Sequence, residues 1–241
     1  MRKFINLSAI ESRGLDIVIY NNARQLRKDA ILLAETNKSY SSATSLLILS
    51  SEEVIKATLV FLHSQGYKVY LIKGAKRFFS DHKIRHEVAQ LVEVGSSLME
   101  TITIWEEQRE KPLFKTKVKW LDWGLNGLND LVKSVQPLVD SGKRIEKLQE
   151  FNDLKNQGLY VNYKDKLLTP QFQIDADEYT TVKNIVERTF KFYKSLRLLY
   201  HPSIEKHLSK KKIMKVREDL ELLINDAFKD FEFNNNRKSY E

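Results

Sequence analysis

The 241-residue sequence contains no cysteine. That excludes disulfides, thiol nucleophiles, and zinc or iron–sulfur centres built on cysteine. It suits a reducing compartment, so a cytoplasmic location is the expectation. Glycine (8) and proline (4) are also scarce. Their scarcity argues against glycine-rich nucleotide loops and against folds with many turns. The chain has no Gly-rich phosphate loop, no nucleophile elbow and no His-Glu-x-x-His zinc motif. No apolar run approaches the ~18 residues that would span a bilayer, so no membrane partner is expected. The basic start, Met1-Arg-Lys-Phe-Ile-Asn, lacks the apolar run of a signal peptide.

What is present is an ordinary globular balance: 42% hydrophobic and 30% charged residues, with a formal net charge of +8. The length fits one large domain or two small ones and allows a real core. The charge suits a polyanion partner such as nucleic acid, although many basic proteins simply carry a solvated basic surface.

Helical periodicity dominates. It predicts helices over 15–36, 40–63, 75–107, 117–135 and 142–156, with an apolar connector at 67–73. Segment 158–170 reads differently. Its aromatic and β-branched start, its Lys-Asp-Lys turn and its proline predict a short extended segment or hairpin. Further helices follow over 175–200 and within 209–231. The expectation is an all-α bundle with a short hairpin near 158–170. Residues 1–202 form the helical domain, 203–233 a C-terminal helical extension, and 234–241 a disordered tail.

Two helices carry charges where apolar residues belong. The stripe of the second helix runs Leu46, Leu49, Glu53, Lys56, Val60. Glu53 and Lys56 are three apart and able to pair on one face. The third helix has an apolar seam through Ile84, Val88, Leu91, Gly95, Leu98, Ile102 and Trp105. A second packing face holds His82 and Arg85, which marks this helix as central. An antiparallel hairpin about residue 70 sets Lys56 level with His82, and Glu53 level with Arg85. Burying four such groups is costly unless they pair. The cluster is therefore either a structural Glu53–Arg85 lock or a functional site.

Other features have plainer readings. His82 and His86 are four apart, but the Glu-x-x-His pairs of a bundle di-metal site are missing, so no metal or other cofactor is expected. His63, His201 and His207 read as surface or helix-end residues. The basic run 206–217 would grip phosphates, but reads first as a solvated face. Tyr160 and Tyr163 would stack on bases, but read first as packing the extended segment onto the bundle. Trp105, Trp120 and Trp123 read as core or interface anchors.

Three elements in order resemble the abortive-infection AbiV family. The first is residues 43–57, Ala-Thr-Ser-Leu-Leu-Ile-Leu-Ser-Ser-Glu-Glu-Val-Ile-Lys-Ala. The second is residues 78–86, Phe-Phe-Ser-Asp-His-Lys-Ile-Arg-His, and the third is Gly158-Leu-Tyr-Val-Asn-Tyr163 with Pro170. The resemblance covers roughly residues 23–200. It implies a HEPN-like helical bundle, often dimeric, acting in bacterial phage defence. Many HEPN proteins are metal-independent endoribonucleases with an Arg, four to six residues, then His. Arg77 and His82 fit that signature. By resemblance, the His would move the proton at the ribose 2′-hydroxyl and the Arg would steady the phosphate. On a regular helix Arg77 and His82 would point about 140° apart, whereas Arg85 lies on the His82 face. The catalytic candidates are accordingly His82, Arg85, Arg77, Glu53 and Lys56, with RNA as substrate. A homodimer and a phage-encoded activator are the partners implied. The alternative is a non-catalytic HEPN toxin or interaction module that binds a phage protein or the translation machinery.

Overall fold

The innermost helix is the one with the densest apolar and small-residue content. In the computed structural model, which describes residues 3–71, 75, 79, 89, 139–206, 209–211, 213, 214, 217, 218, 220 and 221, helix α2 spans Tyr40–Ser64. Its buried positions run around most of its circumference, from Ala43, Leu47 and Ile48 to Val54, Leu59 and Val60. A helix apolar on all sides is one surrounded by neighbours. Helix α1, Leu15–Asn37, precedes it. Ile19, Ala23, Ala30 and Ala34 of α1 are buried. Their spacing of four and seven keeps one narrow seam facing α2. Alanines on that seam allow the two backbones to approach closely. Gly66 follows α2 with φ 93°, a left-handed conformation that favours glycine.

Helix α3, Val139–Gln157, packs on another side of α2 through Leu148, Phe151 and Leu154. After it come strands β1, Asn162–Lys164, and β2, Lys166–Leu168. They pair antiparallel, with Tyr163 opposite Leu167. Asp165 makes the turn at φ 58°, a conformation an aspartate tolerates better than most residues. A four-residue helix α4, Pro170–Gln173, leads to helix α5, Ala176–Leu199. The side chain of Asp175 caps α5 by accepting from the Glu178 amide at 2.8 Å. Among the described residues, 3-10 turns also lie at Phe4–Asn6, Val69–Leu71 and Pro202–Lys206.

The expected all-α fold with a short hairpin is what forms. The expected helices at 15–36, 40–63, 142–156 and 175–200 match α1, α2, α3 and α5 to within a few residues. Most of the expected central helix at 75–107, all of that at 117–135, and the tail lie outside the described residues. So do the three tryptophans. One expectation is corrected. Tyr160 and Tyr163 do not pack the hairpin onto the bundle; they are 65% and 71% exposed. The hairpin stands away from the bundle, so its apolar residues face solvent. Among the described residues, no helix is long and apolar enough to cross a membrane.

Candidate functional site

Adjacent residues on a helix point about 100° apart. Glu52 and Glu53 therefore leave α2 in different directions, and their surroundings differ. Glu52 is buried, and its Oε1 accepts from Lys155 Nζ of α3 at 3.0 Å. Lys155 is itself buried, and Ser45 Oγ donates to the Lys155 carbonyl at 2.8 Å. Gly158 lies against the same spot: a Cβ there would sit 2.2 Å from Ser45 Oγ and 2.5 Å from the Ser41 carbonyl oxygen. The serines at 41 and 45 and the glycine at 158 thus let α3 run close to α2, where the ion pair ties them.

Glu53 faces the other way. Its Oε1 accepts from Lys56 Nζ in a short ion pair, and its Oε2 accepts from Asn22 Nδ2 of α1 at 3.4 Å. The Glu53 and Lys56 side chains are 20% and 18% exposed. The two charges on the apolar stripe therefore pair with each other, as their spacing predicts, at a partly open edge of α2. His82, Arg85 and Arg77 lie outside the described residues, as does the expected levelling of Lys56 with His82 and of Glu53 with Arg85.

Two buried ionic contacts were not read from the sequence. One is Glu52–Lys155. Its signal was present: Lys155 follows Leu148 and Phe151 at spacings of three and four, on a stripe that is otherwise apolar. The other joins α1 to α5. Asp16 Oδ2 accepts from Tyr193 OH at 2.7 Å and from Arg197 Nη1 at 2.5 Å, and Asp16 is fully buried. Burial, and then the bond to Asp16, pushes the Tyr193 phenol above its ordinary range. Burial opposes the Arg197 charge, but the bonds to Tyr193 and Asp16 outweigh it and raise its pKa. Arg197 also lies over the Phe61 ring, 5.4 Å from its centroid.

The remaining candidates take plain roles. His63, at the end of α2, meets the Leu7 carbonyl at 2.9 Å and stacks on Tyr70. Within the basic run, Arg217 donates to the Leu199 carbonyl at 2.9 Å and covers the Tyr200 ring. That arginine seals the end of α5, while Lys210 is exposed.

Neither a curated protein nor a solved structure gives a significant match to this chain. A family model does: HEPN_AbiV, described as AbiV, matches residues 11–192. The match takes in α1 to α4 and most of α5, including the Glu52–Glu53 pair and the Gly158 hairpin. The chain is therefore a member of the AbiV family, an abortive-infection protein of the HEPN type.

Proposed function

We propose that this protein is a phage-defence endoribonuclease that cleaves RNA without a metal ion. The observation that carries the reading is the Glu53–Lys56 pair. It is a half-buried ionic couple on a stripe that is otherwise apolar, whereas the neighbouring Glu52 already supplies the structural tie to α3. A carboxylate and an ammonium at a partly open edge are suited to orienting cations and a phosphate. In this reading His82 is the general acid and base, since imidazole titrates near neutrality. Arg85, with or without Arg77, stabilises the charge that builds on the phosphate. Glu53 orients those cations, and Lys56 assists at the phosphate. The product carries a 2′,3′-cyclic phosphate end. A homodimer and a phage-encoded activator belong to the same proposal, on family grounds.

The test is a comparison of RNA cleavage in EDTA by wild type, Glu53→Gln and Lys56→Met. Both variants should fold and lose activity by tenfold or more. Full activity in both would remove the couple from the catalytic centre.

A second reading is favoured by a separate observation. Leu159, Tyr160, Val161, Tyr163, Leu167 and Phe172 are all exposed around the hairpin. Apolar surface of that kind suits contact with another protein. On this reading the protein is a non-catalytic toxin or interaction module, and the charged couple is structural. Its mark would be phage protection retained in the absence of any RNA cleavage.

A further inference from the structure

The backbones of α1 and α5 stay apart, and long side chains bridge them. Tyr20 lies 4.5 Å from Tyr193 and 5.6 Å from Phe190, ring centre to ring centre. Beside this bridge is a cleft of about 410 Å³. Ile17, Tyr20, Asn21 and Arg24 of α1 line one wall; they recur at spacings of three and four, so they form one stripe. Lys194, Arg197 and Leu198 of α5, with His201 just beyond it, line the other wall.

The lining is cationic at the rim and apolar within. Among the described residues, no aspartate or glutamate lines the cleft. The carboxylate beneath it, Asp16, is already neutralised by Arg197. Arg197 uses Nη1 on Asp16, and a guanidinium carries further N–H donors. Being pinned by Asp16 and seated over Phe61, it is held in place before any ligand arrives. Arg24 and Lys194 are exposed and have no ion-pair partner among the described residues. His201 Nδ1 accepts the Ser203 amide at 3.2 Å and meets Ser203 Oγ at 2.6 Å, so Nε2 is the ring nitrogen not engaged by Ser203. Ile17 is 43% exposed, and Tyr20 and Leu198 are half-buried beside it. Such a surface takes a flat apolar ring, and the volume lies within the range of small-ligand sites.

We propose that this cleft binds one nucleoside monophosphate unit, its phosphate held by Arg24, Lys194, Arg197 and His201 and its base lying on Ile17, Tyr20 and Leu198. The unit is either a free nucleotide or one residue of a single-stranded RNA. The choice of RNA rests on the ribonuclease reading; the site itself does not. Lys194, Arg197, Leu198 and His201 lie beyond residue 192, where the family match ends. Neither Glu53 nor Lys56 lines the cleft.

The experiment is fluorescence anisotropy with a labelled oligouridylate and a labelled oligoadenylate of about 12 nucleotides, both 2′-O-methylated so that the proposed cleavage cannot consume them. The full-length wild type is compared with Arg24→Glu/Lys194→Glu and with the milder Arg24→Gln/Lys194→Gln. Both positions are exposed, and both variants should leave the thermal melt unchanged. The charge-reversed protein should bind about tenfold or more weakly, and the neutral one should lose about 0.7 of the salt slope for each phosphate contact removed. Unlabelled AMP decides the source. Displacement at a similar nucleotide concentration assigns free nucleotide, and failure to displace bound RNA assigns the strand; either outcome sustains the site. Binding by both variants equal to wild type, or no wild-type binding of RNA or AMP, overturns it. Cleavage of unmodified RNA by wild type is assayed separately: a wild type that binds through Arg24 and Lys194 but does not cleave loses the ribonuclease reading and leaves this site standing.

Discussion

Glu52 and Glu53 are neighbours in sequence with opposite consequences for the protein. Removing the Glu52 carboxylate strands the buried Lys155 ammonium, and uncompensated buried charges typically cost 3–5 kcal/mol. Glu52→Ala should therefore lower stability by about that amount in a urea melt. Glu53→Ala releases a couple at a partly open edge, where such pairs contribute roughly 1 kcal/mol or less. Its melt should be near that of wild type while RNA cleavage falls. Equal losses of stability in the two variants would show that the pairs have the same structural role. The tyrosines give a pH test. Tyr67 shares a hydroxyl hydrogen bond with Tyr200, and burial foremost raises the phenols of Tyr67, Tyr193 and Tyr200 above their ordinary value of 10.0. The folded chain thus holds these protons more tightly than the unfolded chain. The stability they contribute is complete below pH 10 and is lost as the pH rises above it. Thermal melts across that range should show Tm falling, with tyrosinate absorbance rising together with unfolding. A flat Tm would contradict the burial of these rings.

At the scale of elements, α2 organises the fold, and the close contact with α3 depends on small residues. Gly158→Ala would drive a methyl into the Ser41 carbonyl oxygen, which is backbone and cannot rotate away. The variant should lose about 1–3 kcal/mol, read as a lowered urea midpoint. An unchanged midpoint would mean that α3 is free to shift. The hairpin behaves oppositely. Tyr163→Ser and Phe172→Ser alter exposed side chains and should leave stability within about 0.5 kcal/mol of wild type. Loss of phage protection in them without loss of RNA cleavage would favour the interaction module. The helices were legible because their apolar spacing is long and regular. The four-residue α4 is too short to show a period. The exposure of Tyr160 and Tyr163 was not legible, because aromatic residues in an extended segment read alike whether they meet a core or stand off it. Asp16 and Arg197 are 181 residues apart, and periodicity within one helix gives no means of pairing them. Lys155 was legible in principle as a charge on an apolar stripe, by the same rule that singled out Glu53 and Lys56.

For the whole molecule, the net charge of +8 divides into parts with different work. Lys155, Arg197 and Arg217 join elements to one another. Arg24 and Lys194 stand open at the α1–α5 cleft. Lys56 pairs with Glu53 at the partly open edge of α2. His, Arg, Lys and Glu are the residues from which the proposed reaction is built. The most direct measurement of the central claim is the end chemistry of total cellular RNA incubated in EDTA with wild type and with His82→Ala. Wild type should produce new 2′,3′-cyclic phosphate ends, and the variant none above background. Intact RNA in both, from proteins that still protect cells against phage, would contradict it.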